Sequence, residues 1–238
     1  MARDADETLT EKAVERLVED IVTGVRKPAE KLRIEVLKKQ YGIGASPLRE
    51  ALTRLTVQGF VVNETRRGFR VAPMSEEDLE EITRIRLMIE IDAFSRSMEF
   101  GDTEWEMGVV SSFARLKVVA QRHGVSNFAN PSLSRAHKEF HHALISACRS
   151  PRLIQLQAVL YEQAQRYRQL TFKNMHDVNH FINIHQPLVD IALSRDRAAG
   201  QQALSAHLRL IKDAIYPSRA AIKKGRKKTG TAIEAIDR

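Results

Sequence analysis

Apolar residues recur at helical spacing along almost the whole chain, and the period changes only in one short stretch. Over 10–25, Ala13, Leu17 and Ile21, joined by Val14 or Val18, form one side of an amphipathic helix that Gly24 ends. Residues 34–41 place Val36, Leu37 and Tyr41 at the same period, and Gly42 supplies the permissive backbone that a helix end needs. A second short helix follows at once. Ser46 reads as its cap, Pro47 as its first residue, where no N–H is required, and Glu50 as the partner in a capping box. Its buried stripe is Leu48, Ala51, Leu52 and Leu55; opposite lie Arg49, Thr53 and, more laterally, Arg54. The period then drops to two: 60–63 and 69–72 predict strands joined by Glu64-Thr65-Arg66-Arg67-Gly68. Ser75 caps a helix that opens with Glu76, Glu77 and Asp78, and the helical period returns. Helices are predicted at 76–99, 103–123, 132–148, 151–174, 178–195 and 197–215, broken at Gly101-Asp102, between His123 and Pro131, at Ser150-Pro151 and around 174–179.

The expected architecture is therefore mainly α, in four parts. Residues 1–9 form a disordered N-terminus, 10–74 a winged helix-turn-helix, 75–216 an all-helical bundle able to hold a ligand, and 217–238 a basic flexible tail. Charge sharpens the picture. The chain carries 38 Lys and Arg against 30 Asp and Glu, and eleven of the basic residues against four acids fall between 26 and 70. A basic excess concentrated on a two-helix motif and a hairpin implies a polyanionic partner, with double-stranded DNA foremost. The N-terminal face of the second helix suits a major groove, and the arginines at the hairpin tip suit phosphates or a narrow minor groove. The tail's Lys223, Lys224, Arg226, Lys227 and Lys228 read as a solvated terminus or as a further nonspecific DNA contact. No run approaches the ~18 apolar residues of a spanning helix, and the opening MARDADETLT is acidic rather than signal-like. A lone Cys148 in an apolar stripe forms no internal disulfide, consistent with a cytoplasmic protein.

Candidate chemistry lies in the second half. His137 and His141 are four apart and project from one side of a helix, while His185 and His207 sit on two further helices rich in buried-type residues. Converging, the four form a nitrogen-rich site for a late first-row ion such as zinc or nickel; separately, they are ordinary core histidines. The alternative function, a metal-dependent hydrolase with a nucleic-acid-binding appendage, needs a general base near the cluster. Glu139, the nearest carboxylate in sequence, is displaced around the helix from both His137 and His141.

The run LKKQYGIGASPLREALTRLTVQGFV followed by RRGFRV resembles the winged helix-turn-helix of the GntR transcription factors, with their PxREAL-type signature and Gly-bearing wing. The resemblance implies DNA contacts from Ser46, Arg49, Arg66, Arg67 and Gly68, with Pro47 in a structural role. It departs from the pattern at Gly44-Ala45-Ser46, where many members carry Ser-Arg-Thr, and at Glu35, where some carry Arg. Residues 76–215 resemble the FCD ligand-binding domain of the FadR-like subgroup, through Arg86 and Glu90 in IRLMIE, Phe140-His141, and His185 with His207. Such domains hold a metal through one Asp and three His; here His137 occupies the Asp position, which removes the anionic ligand. The resemblance also implies a small carboxylate effector, met first by Arg86, which at i,i+4 equally pairs with Glu90, and next by Arg166, Tyr167 and Arg168. Adjacent positions point about 100° apart, so not all of that last run faces one cavity. AEKL at 29–32, GFRVAPMSEEDL and HKEFHHALISACRS extend the likeness over 10–216 to FCD repressors that respond to glutarate, implying a dicarboxylate. The expected molecule is a non-enzymatic, homodimeric repressor.

Overall fold

The computed structural model describes residues 8–126, 130–172 (backbone alone over 169–172) and 177–217. The N-terminal segment to Glu7 and the basic tail from residue 218 lie outside the described residues. Nine helices and three strands are found among the rest. The first unit contains α1 (Leu9–Val22), β1 (Lys31–Leu32), α2 (Ile34–Tyr41), α3 (Ala45–Val57), β2 (Val61–Glu64) and β3 (Gly68–Val71). A full capping box opens α1: the Thr8 hydroxyl accepts from the Glu11 amide, and the Glu11 carboxylate accepts from the Thr8 amide. The three strands pair antiparallel in the order β1-β3-β2, with Leu32 opposite Phe69 and Asn63 opposite Phe69 on the other edge. Leu17, Leu37, Leu48, Leu52, Leu55 and Phe60 are sealed between the three helices and the sheet.

One cap differs from expectation. α3 begins at Ala45 with extended Gly44 as its cap, and Ser46 lies inside the first turn with an exposed side chain and no capping bond. Pro47 explains how. Any of the first helical residues can be Pro, because those amides have no intrahelical acceptor, so the helix extends back past it. Glu50 is thereby released from capping; it accepts from the Thr10 hydroxyl at 3.2 Å and from Arg54 at 2.6 Å.

The second unit is a bundle of α4 (Glu76–Phe100), α5 (Thr103–His123), α6 (Pro131–Ile145), α7 (Pro151–Phe172), α8 (Val178–Ser194) and α9 (Arg197–Ile215). Ser75, Asp102, Asn130, Asp177 and Asp196 cap five of the six, each accepting from a backbone amide two or three residues on. α6 starts one residue earlier than the periodicity predicts, with Pro131 at N1, and ends at Ile145. Phe94, Trp105, Phe113, Phe140 and Phe181 anchor the main core. The long α4 packs on α7 and α9, and its buried stripe is interrupted midway by Arg86 and Glu90. Burial of a charged pair in an apolar stripe is the informative exception, and it marks where the bundle opens inward.

Candidate functional site

In the first unit, Ser46, Arg49 and Thr53 stand exposed along the outer face of α3, where the apolar stripe leaves them no other place. Arg54 is exposed too, but its guanidinium pairs with Glu50 one turn back. The hairpin closes through the Arg67 amide, which donates to the Glu64 carbonyl at 2.9 Å. Gly68 has φ +85°, as a glycine at a wing tip allows, yet Arg66 also adopts the left-handed region at φ +66°. For a side chain that conformation costs about 1–2 kcal/mol of steric strain. Arg66 and Arg67 are consequently thrust out at the tip, both exposed, while Arg70 is held back against Glu64 at 3.0 Å.

The second unit encloses a cavity of about 150 Å³ lined by Arg86 of α4, His137 and His141 of α6, Arg168 of α7, His185 of α8 and His207 of α9. One ring nitrogen from each histidine lies within 4.8 Å of the others. His137 Nε2 is 3.0 Å from His185 Nε2, and His141 Nε2 is 3.3 Å from His207 Nε2. Three of the rings are oriented from behind. His185 Nδ1 donates to the Phe181 carbonyl at 2.6 Å and His207 Nδ1 to the Ile184 carbonyl at 3.2 Å. Carbonyls only accept, so both rings carry their proton on Nδ1 and turn the Nε2 lone pair inward. His137 Nδ1 meets the Tyr161 hydroxyl at 2.5 Å, and with the proton on Nδ1 its Nε2 also offers a lone pair.

Burial pushes all four imidazoles below their ordinary pKa, His185 down to about 4, with neighbouring rings and Arg168 adding to the effect. Neutral rings are what a metal ion requires. An ion with Zn–N bonds of ~2.0–2.1 Å in tetrahedral geometry separates its donors by about 3.3 Å, close to the spacings that the two pairs already show. The donor set therefore fits a late first-row ion, with His137 in place as a nitrogen ligand.

Around the cluster the charge is positive. Arg86 is buried and pairs with Glu90 at 2.6 Å, so the i,i+4 pair and the cavity position hold together. Arg168 is equally buried, stacks 4.4 Å above the Tyr161 ring and donates to the Gln165 amide oxygen. Burial, with Arg86 nearby, lowers its pKa. Arg166 is not brought to the cavity. It points the other way and caps the carbonyls of Ala72 and Pro73, because two residues along a helix rotate the side chain by about 200°. Tyr161 has no part in the histidine pattern of the sequence, although its place seven residues before Arg168 puts both on one helix face. His180 is exposed at the cavity's mouth, His142 is exposed elsewhere, and Glu139 is taken up by Arg115 at 3.1 Å on the surface.

A basic winged helix mounted on a helical bundle with a nitrogen-lined, cationic cavity defines a ligand-sensing DNA-binding regulator. Comparison with known proteins gives the family. Residues 9–71 match the model of bacterial regulatory proteins of the gntR family, and 81–210 match the FCD domain. The chain is 35% identical over 206 residues to an HTH-type transcriptional regulator, BphR, of Paraburkholderia xenovorans, covering 84% of this chain and 82% of the relative. It is 32% identical over 196 residues to the HTH-type transcriptional repressor GlaR of Escherichia coli, covering 81% and 89%. Its fold is shared with E. coli McbR/YncC, at a TM-score of 0.73 and 18% identity, over 86% of this chain and 95% of that one. The chain thus belongs to the gntR family, with an FCD domain as its second part; it is a transcription regulator and not an enzyme, which removes the hydrolase alternative. Members of the family bind DNA operators and typically act as dimers with small-molecule effectors. No helix among the described residues is long and apolar enough to cross a membrane.

Proposed function

We propose that the chain is a cytoplasmic, homodimeric repressor whose hold on its operator is set by a small organic acid in the FCD cavity. The observation that carries this reading is the charge balance of the cavity. Two buried guanidiniums, Arg86 and Arg168, face four neutral imidazoles, and Glu90 is the one buried carboxylate among the described side chains. Zinc or nickel on the imidazoles adds two further positive charges. Buried charge that lacks a counter-ion is costly, so the pocket favours an anion, and a carboxylate meets a guanidinium in bidentate geometry. Arg168 joins Arg86 in this role, and Arg166 leaves it. When bound, the metal supplies a Lewis-acidic contact for a carboxylate oxygen, and the protein's part is to hold the four nitrogens with their lone pairs inward. The cavity's small size and the likeness to a branch responding to glutarate both favour a short dicarboxylate.

On the DNA side, Ser46 and Arg49 read the major groove while Arg66, Arg67 and Gly68 address the adjoining backbone or minor groove, with Pro47 shaping the start of α3. Arg54, shared with Glu50, adds a phosphate contact at the flank. Two such heads related by a two-fold axis match a palindromic operator. The test is capture of genomic fragments by the purified protein at moderate salt, followed by sequencing. Enrichment of a few palindromic sites is expected; uniform retention that fades evenly with salt contradicts specific regulation.

A further inference from the structure

Two helical turns of α7 touch both the cavity and the DNA-reading unit, on opposite faces. Tyr161, Gln165 and Arg168 fall within about 60° of one another around the helix. Tyr161 holds His137, Arg168 lies over Tyr161, and the Gln165 amide donates to Ser134 of α6 at 2.9 Å while its oxygen accepts from Arg168. Gln163, Arg166 and Tyr167 occupy the other side. The Gln163 amide donates at 2.6 Å to the carbonyl of Gln58, the residue that caps the C-terminus of α3. Arg166 caps the carbonyls of Ala72 and Pro73, just past the wing strand β3. The Tyr167 hydroxyl accepts from the Ser75 amide at 3.0 Å and contacts Asp78 at 2.6 Å, at the start of α4. One helix thus grips the end of the recognition helix, the base of the wing and the junction between the units.

The packing beside this grip is open. Between α1 and the α6–α7 pair runs a groove of about 460 Å³, with Val14, Val18 and Glu19 on one bank and Arg135, Lys138 and Glu162 on the other. The DNA-reading unit is fastened along α7, and the groove separates α1 from α6.

We propose that α7 is the coupling element: a ligand that repositions Arg168 and Tyr161 turns or shifts this helix, and Gln163, Arg166 and Tyr167 carry the movement to α3 and the wing. The proposal rests on the cavity being the effector site, and it supplies what that reading lacks, a packed element with a defined contact at each end. Gln163, Arg166 and Tyr167 are positioning residues, remote from both ligand and DNA.

Hydrogen exchange of the full-length protein tests this, with zinc alone as the probe and its affinity measured separately by calorimetry. Zinc is expected to alter exchange at 161–168 and, in addition, at 57–60 and 71–78. In Gln163→Leu and Tyr167→Phe, which leave the cavity face untouched, zinc affinity stays within about twofold of the parent while the response at 57–60 and 71–78 disappears. Variants that keep the full remote response overturn the proposal, as does a parent protein that binds zinc with no remote response. Failure of the parent to bind zinc counts against the metal reading and leaves a direct test of α7 in the ligand-free protein. There Arg168→Leu is expected to change exchange at 57–60 and 71–78, whereas Leu208→Ala, on the cavity wall of α9, is not. Equal behaviour of those two variants overturns the coupling role.

Discussion

Tyr161 and His137 show how a single contact behind a ligand sets its chemistry. The phenol oxygen holds His137 by its Nδ1 and so orients the ring, and burial raises the phenol's own pKa so that it stays neutral. Tyr161→Phe keeps the ring under Arg168 but removes that hydrogen-bond partner. Zinc affinity, measured by competition with a chromogenic chelator, is expected to fall about 10–100-fold; an unchanged affinity would remove Tyr161 from the account. The four imidazoles of the cavity also set a pH dependence. Their folded pKa values lie below the unfolded value of about 6.5, so as pH falls the unfolded chain binds protons first. Their contribution to stability is complete above about pH 6.5 and is lost between there and the folded value of about 4 for His185. Thermal melts of the metal-free protein should show a flat Tm above about pH 6.5 and a decline below it, and a Tm rising on acidification contradicts this. At this scale the sequence was partly legible. His137 and His141 announce themselves by a spacing of four, but nothing in the run Arg166-Tyr167-Arg168 says which arginine faces inward, since that depends on how α7 is rolled against α4 and α6. Tyr161 was missed because a lone tyrosine in an apolar helix carries no signature of a hydrogen bond to a ring on another helix, 24 residues away in sequence.

The two-helix motif and the wing were legible as elements because their signals are local: a glycine after α2, a proline at the start of α3, a shift of period at the hairpin. The register of the cap was not. Pro47 is compatible with several positions in a first turn, and Ser46, a good cap by type, lost that place to Gly44. The wing holds a second departure, the left-handed Arg66. Replacing it by glycine relieves about 1–2 kcal/mol of strain and adds back about 0.5–1 kcal/mol of unfolded-state entropy. Arg66→Gly is thus expected to stabilise the protein by about 0.5–1 kcal/mol in denaturant unfolding while weakening DNA binding and lowering its salt slope by about one. A variant both less stable and equal in DNA affinity would show that the strained tip serves neither purpose.

Among the described residues, α7 lies between the winged face with its exposed arginines and the buried cavity with Arg86 and Arg168. The change from period two back to the helical period was visible in the sequence at Ser75, which caps α4. The way the two units meet was not, because Gln163 and Gln58 come together from 105 positions apart through a backbone carbonyl that any residue would supply. Control of DNA binding by occupancy of the cavity is tested most directly by titrating the zinc-loaded protein onto one captured palindromic site at fixed salt, with and without short dicarboxylates whose binding calorimetry has established. One such acid is expected to weaken DNA affinity by about 5–150-fold, the range of ordinary allosteric coupling. An acid that binds in the cavity and leaves DNA affinity unchanged would contradict it.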